Sequence, residues 1–173
     1  VVVSGLLVFY IPQLRERCDA RIYLDMDDGL RRRLKIQRDV VERGHSDESV
    51  EAALEARSED TGRFIKPQIE YADVVFRLEP VRPAQLDDGT PVENIRLQLR
   101  ISLRRSLYHE RLIRLLIGDC GVDVEHDLEE SNTSIELLVS SDVSADDLSA
   151  VAQRLVPQSE ELLDVVPVWE SGV

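Results

Sequence analysis

The stretch Leu30–Ser46, LRRRLKIQRDVVERGHS, decides how the rest of the chain is read. Leu30, Leu34 and Val41, flanked by Ile36 and Val40, set an apolar stripe at helical spacing. Arg31, Lys35 and Arg38 form a second stripe at steps of four and three. Asp39 stands four residues from both Lys35 and Arg43, so it can meet either on a helix surface. Gly44 marks the stop, because glycine takes the left-handed conformation cheaply. Ser46 then caps a second helix, expected over 47–57. Six basic residues lie between Arg31 and Arg43. Two readings stay open for them. One is a solvated basic face balanced by acids elsewhere. The other is a seat for a polyphosphate, which guanidinium forks and a lysine charge match well.

Outward from this stretch, strands and helices alternate. Val1-Val2-Val3 reads as a buried strand and Ser4-Gly5 as the turn after it. A short helical stretch is expected over 11–18 after Pro12, then a strand over 20–24. Asp25-Met26-Asp27-Asp28 is a turn that can cap the long helix. Its acids read as helix starters near a macrodipole, with a cation site as the alternative. Glu59-Asp60-Thr61-Gly62 breaks the second helix, and Phe64 and Ile65 are apolar anchors before Pro67. A strand over 74–78 ends at Pro80-Val81-Arg82-Pro83, and Pro83 to Pro91 is a linker or turn. The order is that of an α/β fold.

From Asn94 the pattern changes. Ile95, Leu97, Leu99, Ile101 and Leu103 alternate with polar residues, as in a half-buried strand. Arg100, Arg104 and Arg105 read as exposed arginines blunting a sheet edge, a sugar-phosphate contact being the alternative. Such an edge over 95–103 could pair between subunits, giving a homo-oligomer. Residues 112–117 are strand or helix, and 122–126 and 133–139 are strands. Ser144-Ala145-Asp146-Asp147 caps an amphipathic helix carrying Leu148, Val151, Ala152 and Leu155, which Pro157 stops. Glu161 to Val168 and Trp169 close the chain. This half reads as a small α+β unit packed on, or extending, the first sheet.

Charge is unevenly spread. Residues 1–83 hold 14 basic and 16 acidic side chains, a net of −2, and residues 84–173 hold 7 and 18, a net of −11. The second half therefore repels nucleic acid and anionic membranes. Nineteen of the 21 basic residues are arginine, which suits a salt-adapted or GC-rich source. No apolar run reaches the roughly 20 residues of a membrane span. Cys18 and Cys120 have no metal-like spacing and fit free thiols in a reducing cytoplasm. His109 and His126 have no neighbours at ligand spacing.

Lys35-Ile36-Gln37-Arg38-Asp39 and Glu42-Arg43-Gly44-His45-Ser46 resemble the lid segment of the phosphoribulokinase and uridine kinase family. Phe64-Ile65-Lys66-Pro67-Gln68 and Tyr71-Ala72-Asp73-Val74-Val75 resemble that family's return from the lid to its sheet. Gly5-Leu6-Leu7-Val8-Phe9-Tyr10 resembles the segment after its Walker B strand. The resemblance covers roughly the first eighty residues. The lysine three before the Arg-Asp pair and the Gly-His-Ser ending favour phosphoribulokinase over uridine kinase.

The resemblance implies a P-loop kinase sheet over 1–83 with a helical lid over 30–66, followed by the α+β unit over 92–173. It implies ATP-dependent phosphorylation of a sugar phosphate, ribulose 5-phosphate at its primary hydroxyl, with Mg2+. Lys35, Arg38 and Asp39 take catalytic places, Arg38 also binding ATP, while Arg43 and His45 take substrate-binding places. His45 has a second reading, as a surface histidine beside a helix cap. Asp39 would hold the metal or orient the arginines, and an intrahelical salt bridge is its plainer reading. Two departures follow. No glycine-rich run followed by Lys and Ser or Thr occurs in the 173 residues, so the chain is expected to be the C-terminal part of a longer kinase, inactive alone. Ser4 stands where the family usually has an acid, and a hydroxyl does not replace a carboxylate as a metal ligand of equal charge. A uridine kinase-like enzyme and a non-catalytic anion-binding relative are the alternatives.

Overall fold

The computed structural model describes residues 2–104, 109–120, 124–128, 134–139 and 154. Five strands form one sheet in the order β1-β2-β3-β5-β4. They are β1 (Ile22–Met26), β2 (Val74–Pro80), β3 (Leu97–Arg104), β4 (Val124–Leu128) and β5 (Ser134–Val139). β1 and β2 run parallel and all other pairs are antiparallel. The helices are α1 (Pro12–Arg15), α2 (Asp28–Ile36), α3 (Asp47–Asp60) and α4 (His109–Cys120). The mixed α/β class expected from the sequence is the observed one.

Alternation along the strands gives the sheet two unlike faces. Ile101, Leu103, Ile135, Leu137 and Val139 are buried on one face under Leu116 of α4, with Val74, Phe76, Leu99 and Ile113 packed against them. Full burial of one such side chain is worth about 1.5–3 kcal/mol. The other face carries ion pairs across four strands. Asp25 of β1 accepts from Arg77 of β2 at 2.7 Å. Glu79 of β2 takes Arg77 at 3.4 Å and Arg100 of β3 at 2.8 Å. Arg100 also reaches Glu136 of β5 at 2.9 Å. The start of the parallel pair is fixed by Arg21, which donates from Nη2 to Asp73 Oδ1 at 2.7 Å and from Nε to Oδ2 at 3.0 Å.

Several expectations need correction. Residues 2–5 form no strand, and Val2 and Val3 are 80% and 55% exposed. Valine propensity alone makes no strand without a neighbouring ladder to complete its hydrogen bonds. The first helix spans only Pro12–Arg15, and the next strand is Ile22–Met26, so Asp25 and Met26 belong to the strand. Residues 59–62 do not break the helical path. After Asp60 it continues as a π-helical turn (Thr61–Ile65) and a 3-10 turn (Lys66–Tyr71). The segment over 112–117 is helix. β3 is interior, paired with β2 over seven residues and β5 over six, so it offers no edge to another subunit. Its Arg100 is held by two carboxylates and blunts no edge. Ile95 is buried just outside the strand. The helix expected over 144–155, apart from Arg154, lies outside the described residues, as do 161–169 and Arg105.

Burial pushes the Glu79 carboxyl up, but hydrogen bonds from Arg100 and Gln98 and the charges of Arg100 and Arg77 outweigh it, leaving a net lowered pKa. A lowered folded pKa gives stability that is present above the unfolded value and lost as pH falls through the folded one. Glu79→Gln should therefore cost about 1–2 kcal/mol at neutral pH. The gap to the parent should narrow below about pH 4.3, the ordinary glutamate value. Urea unfolding at pH 7 and pH 3.5 measures this, and an unchanged gap would reject the assignment.

Candidate functional site

The stretch 30–46 begins where Asp27 Oδ1 accepts from Leu30 N at 3.0 Å, capping α2. At Gln37 the α-helix passes into a π-helical segment, Gln37–Glu42. Wider i→i+5 turns recur at functional sites. They also shift the helical phase, so Val41 of the expected apolar stripe is 76% exposed, while Leu30 is buried. The segment closes with Gly44 N donating to Val40 O at 3.1 Å and His45 N to Asp39 O at 3.0 Å. Gly44 has φ +71°, the left-handed conformation expected of it. Ser46 Oγ accepts from Ser49 N at 3.2 Å and caps α3, which runs three residues further than expected.

Asp39 is buried at 7% exposure. Its Oδ1 accepts from Arg38 Nε at 2.9 Å and from Arg43 Nη1 at 3.3 Å. The Arg38 hydrogen bond, with the charges of Arg38, Arg43 and Lys35, holds the Asp39 carboxyl below the usual aspartate range against the effect of burial. Arg38 is correspondingly raised. About half of the Arg38 and Arg43 side-chain surface still faces solvent. Lys35 has no hydrogen-bond or ion-pair partner among the described residues. Thus Lys35, Arg38, Asp39 and Arg43 lie on one continuous segment, and a single carboxylate oxygen gathers both arginines. The partner of Asp39 is Arg43 rather than Lys35, of the two expected. His45 is exposed beyond the turn.

The remaining basic residues are engaged internally, which corrects the reading of the whole run as one open anion seat. Arg31 donates to Asp25 at 3.0 Å, to Asp28 at 2.7 Å and to Met26 O at 2.9 Å. Arg32 pairs with Glu51 of α3. Arg33 donates to the backbone carbonyls of Gln85, Leu86 and Thr90. The 25–28 acids divide between strand and cap, and no three His, Cys, Asp or Glu side chains among the described residues could share a metal.

An open cleft of about 210 Å³ lies near the C-terminal end of β1, lined by Tyr23, Asp25, Asp28, Lys66, Ile69 and Arg77. None of the five expected site residues lines it. Lys66 Nζ bonds Asp28 Oδ2 at 2.6 Å, lowering the Asp28 pKa. Burial raises the pKa of Tyr23. The sequence reasoning missed this cleft, although the alternation Tyr23-Leu24-Asp25 beside Phe76-Arg77-Leu78 carried the signal. Ser4 is exposed. No helix among the described residues is long and apolar enough to cross a membrane.

Comparison with known proteins matches residues 1–84 to the phosphoribulokinase / uridine kinase family. A chloroplastic phosphoribulokinase of Triticum aestivum is 39% identical over 103 residues, 60% of this chain and 26% of that protein. A phosphoribulokinase of Synechocystis is 43% identical over 82 residues, 47% of this chain and 25% of that one. A uridine kinase of Chloroflexus aurantiacus is 42% identical over 77 residues, 44% of this chain and 37% of that one. The matched stretch thus spans about a quarter of the phosphoribulokinases. Among solved structures, phosphoribulokinase from Rhodobacter spheroides superimposes with a TM-score of 0.53 at 20% identity, over 87% of this chain and 50% of that one. That likeness concerns the fold.

Removing the Arg38 hydrogen bond should raise the Asp39 pKa. In an NMR titration of side-chain carboxyl carbons, the parent should titrate below the ordinary value of about 3.9. Arg38→Met should move the midpoint up toward it. Coincident curves would show that Arg38 does not hold the carboxylate.

Proposed function

We propose, from the match of residues 1–84 to the phosphoribulokinase and uridine kinase family, that this chain supplies the lid and part of the sheet of an ATP-dependent sugar-phosphate kinase. The acceptor we favour is ribulose 5-phosphate, phosphorylated at its primary hydroxyl to the 1,5-bisphosphate. The observation that carries this reading is the pair of arginines gathered on Asp39 beside Lys35, which has no partner among the described residues. Phosphoryl transfer asks a protein mainly for positioning and charge neutralisation. Lys35 and Arg38 would take the ATP phosphates, Arg43 and His45 the sugar phosphate, and Asp39 would hold both guanidinium groups in place. The exposed arginine nitrogens and the lysine ammonium fit a polyphosphate. Mg2+ bound to ATP would supply charge neutralisation between phosphates, a role needing only one or two protein carboxylates.

In this reading 1–83, with the lid over 30–66, carries the phosphate chemistry, and 92–173 is the second unit, its β3 extending the same sheet. The enzyme would work in a soluble compartment such as the cytoplasm, on a small-molecule sugar phosphate. Two other readings have support of their own. The Chloroflexus relative supports a nucleoside acceptor, and Ser4 supports an anion-binding relative without catalysis.

A coupled ATP-consumption assay on the kinase this chain is proposed to contribute to, offered ribulose 5-phosphate and uridine separately, tests the substrate. Turnover with the sugar phosphate alone is expected, and turnover with uridine alone would move the assignment. Arg38→Ala should lower kcat by about 10³-fold while the protein stays folded by circular dichroism. Arg43→Ala should raise the KM for the sugar phosphate about tenfold, the loss of roughly 1.4 kcal/mol. Unchanged saturation by the sugar phosphate would remove Arg43 from that role.

A further inference from the structure

The lid is tied to the body of the protein at its root. Arg33, on α2, donates from Nη1 to Gln85 O at 2.9 Å and to Leu86 O at 3.0 Å, and from Nη2 to Thr90 O at 2.6 Å. All three acceptors are backbone carbonyls of the segment joining β2 to β3. One turn earlier on α2, Gly29 meets the same segment. A Cβ there would lie 2.9 Å from Leu86 Cδ1 and 3.2 Å from Asp27 Oδ1, so only glycine admits this approach without a shift. The segment is shaped to receive the guanidinium. Gly89 has φ +82°, and Asp88 Oδ1 accepts from Thr90 N at 2.9 Å. Two unrelated contacts thus press one face of α2 onto 85–90.

Beyond Ile36 the ties change character. The side-chain hydrogen bonds of Arg38, Asp39 and Arg43 stay within their own segment. We propose that Arg33 is a positioning residue. It locks the root of α2 to the β2–β3 connection, and so sets where the π-helical segment carrying Arg38, Asp39 and Arg43 stands. This rests on the reading of that segment as the anion-binding part of the lid. A guanidinium suits the task because its planar fork can serve several carbonyls at once, which a lysine ammonium does not reproduce.

Hydrogen exchange and pyrophosphate titration on this chain test it with Arg33→Lys, which keeps the charge, and Gly29→Ala, which presses on Leu86 from the other contact. Each variant should speed amide exchange about tenfold in both 83–91 and 37–44, leaving β3 and β5 protected as the check on folding. Each should weaken pyrophosphate binding about fivefold, and the double variant should be little worse than either, because both contacts serve one docking of α2 against 85–90. Faster exchange confined to 83–91 would overturn the proposal, since a merely structural clasp would do only that. Unchanged pyrophosphate affinity in Arg33→Lys, where Lys35→Ala weakens it, would also overturn it. Lys35→Ala without effect would instead overturn the anion-binding reading, and the Arg33 proposal that rests on it. The 37–44 exchange rates would then show whether the clasp still orders the segment.

Discussion

The two-residue period of the strands is the constraint on which this structure turns. It puts an apolar row and a charged row on opposite faces of the same sheet. The apolar face is closed by α4 over β3 and β5. The other face has no such option, because Asp25, Arg77, Glu79, Arg100 and Glu136 stand on it. These charges are half-buried, and a lone one would be expensive there. Each is therefore matched to a charge on the next strand. Arg77 and Arg100 each bridge two or more carboxylates. The ladder joins parallel and antiparallel parts of the sheet, and through Asp25 it reaches Arg31 in the first turn of α2.

The segment 31–43 applies the same logic to a crowded cation run. Three of its six basic residues are drawn inward: Arg31 to the strand end, Arg32 to α3, and Arg33 to the β2–β3 connection. Those contacts build the scaffold. Arg38 and Arg43 share one oxygen of Asp39 and keep donors toward solvent, and Lys35 stays unpaired among the described residues. A polyanion arriving here would meet two guanidinium groups already gathered on Asp39 and one lysine ammonium still to be ordered. That partition between structural and available charge distinguishes the segment from a generic basic helix.

Much of this was legible in the sequence. Ser46 as a cap, Gly44 as a stop, the alternation over 97–103 and the Asp39–Arg43 spacing all follow from local geometry. What was not legible depended on partners distant in the chain. Arg33 looks like any surface arginine until residues 85–90 fold beside it, and Arg100 looks like an edge residue until β5 takes the far side of β3. The π-helical turn was hidden for another reason. Regular periodicity assumes one hydrogen-bonding pattern, and a change to i→i+5 moves Val41 outward while the residues themselves still read as α-helix. Three valines at the start suggested a strand, yet propensity supplies no neighbour to pair with.

β1 shows how unevenly the sheet is covered. Ile22 and Leu24 lie on the same face as Phe76 and Leu78, their partners or neighbours in register. Phe76 packs against the core. Leu24, one strand further out, is 77% exposed and Ile22 53%. The cover supplied by α4 reaches β3 and β5 and fades toward the parallel edge. Among the described residues β1 is paired on one side only. An edge strand with bare apolar side chains is normally blunted by charge, proline or a bulge. Here the charges of Asp25 and Arg21 are committed to Arg77 and Asp73, so they turn along the sheet rather than toward its edge. The parallel end of the sheet is thus laced by ion pairs on one face and, among the described residues, carries exposed apolar side chains on the other. The two properties have one cause: strand alternation sends the charges of β1, β2, β3 and β5 to one face and most of the apolar groups to the other, Val75 and Leu138 being the exceptions.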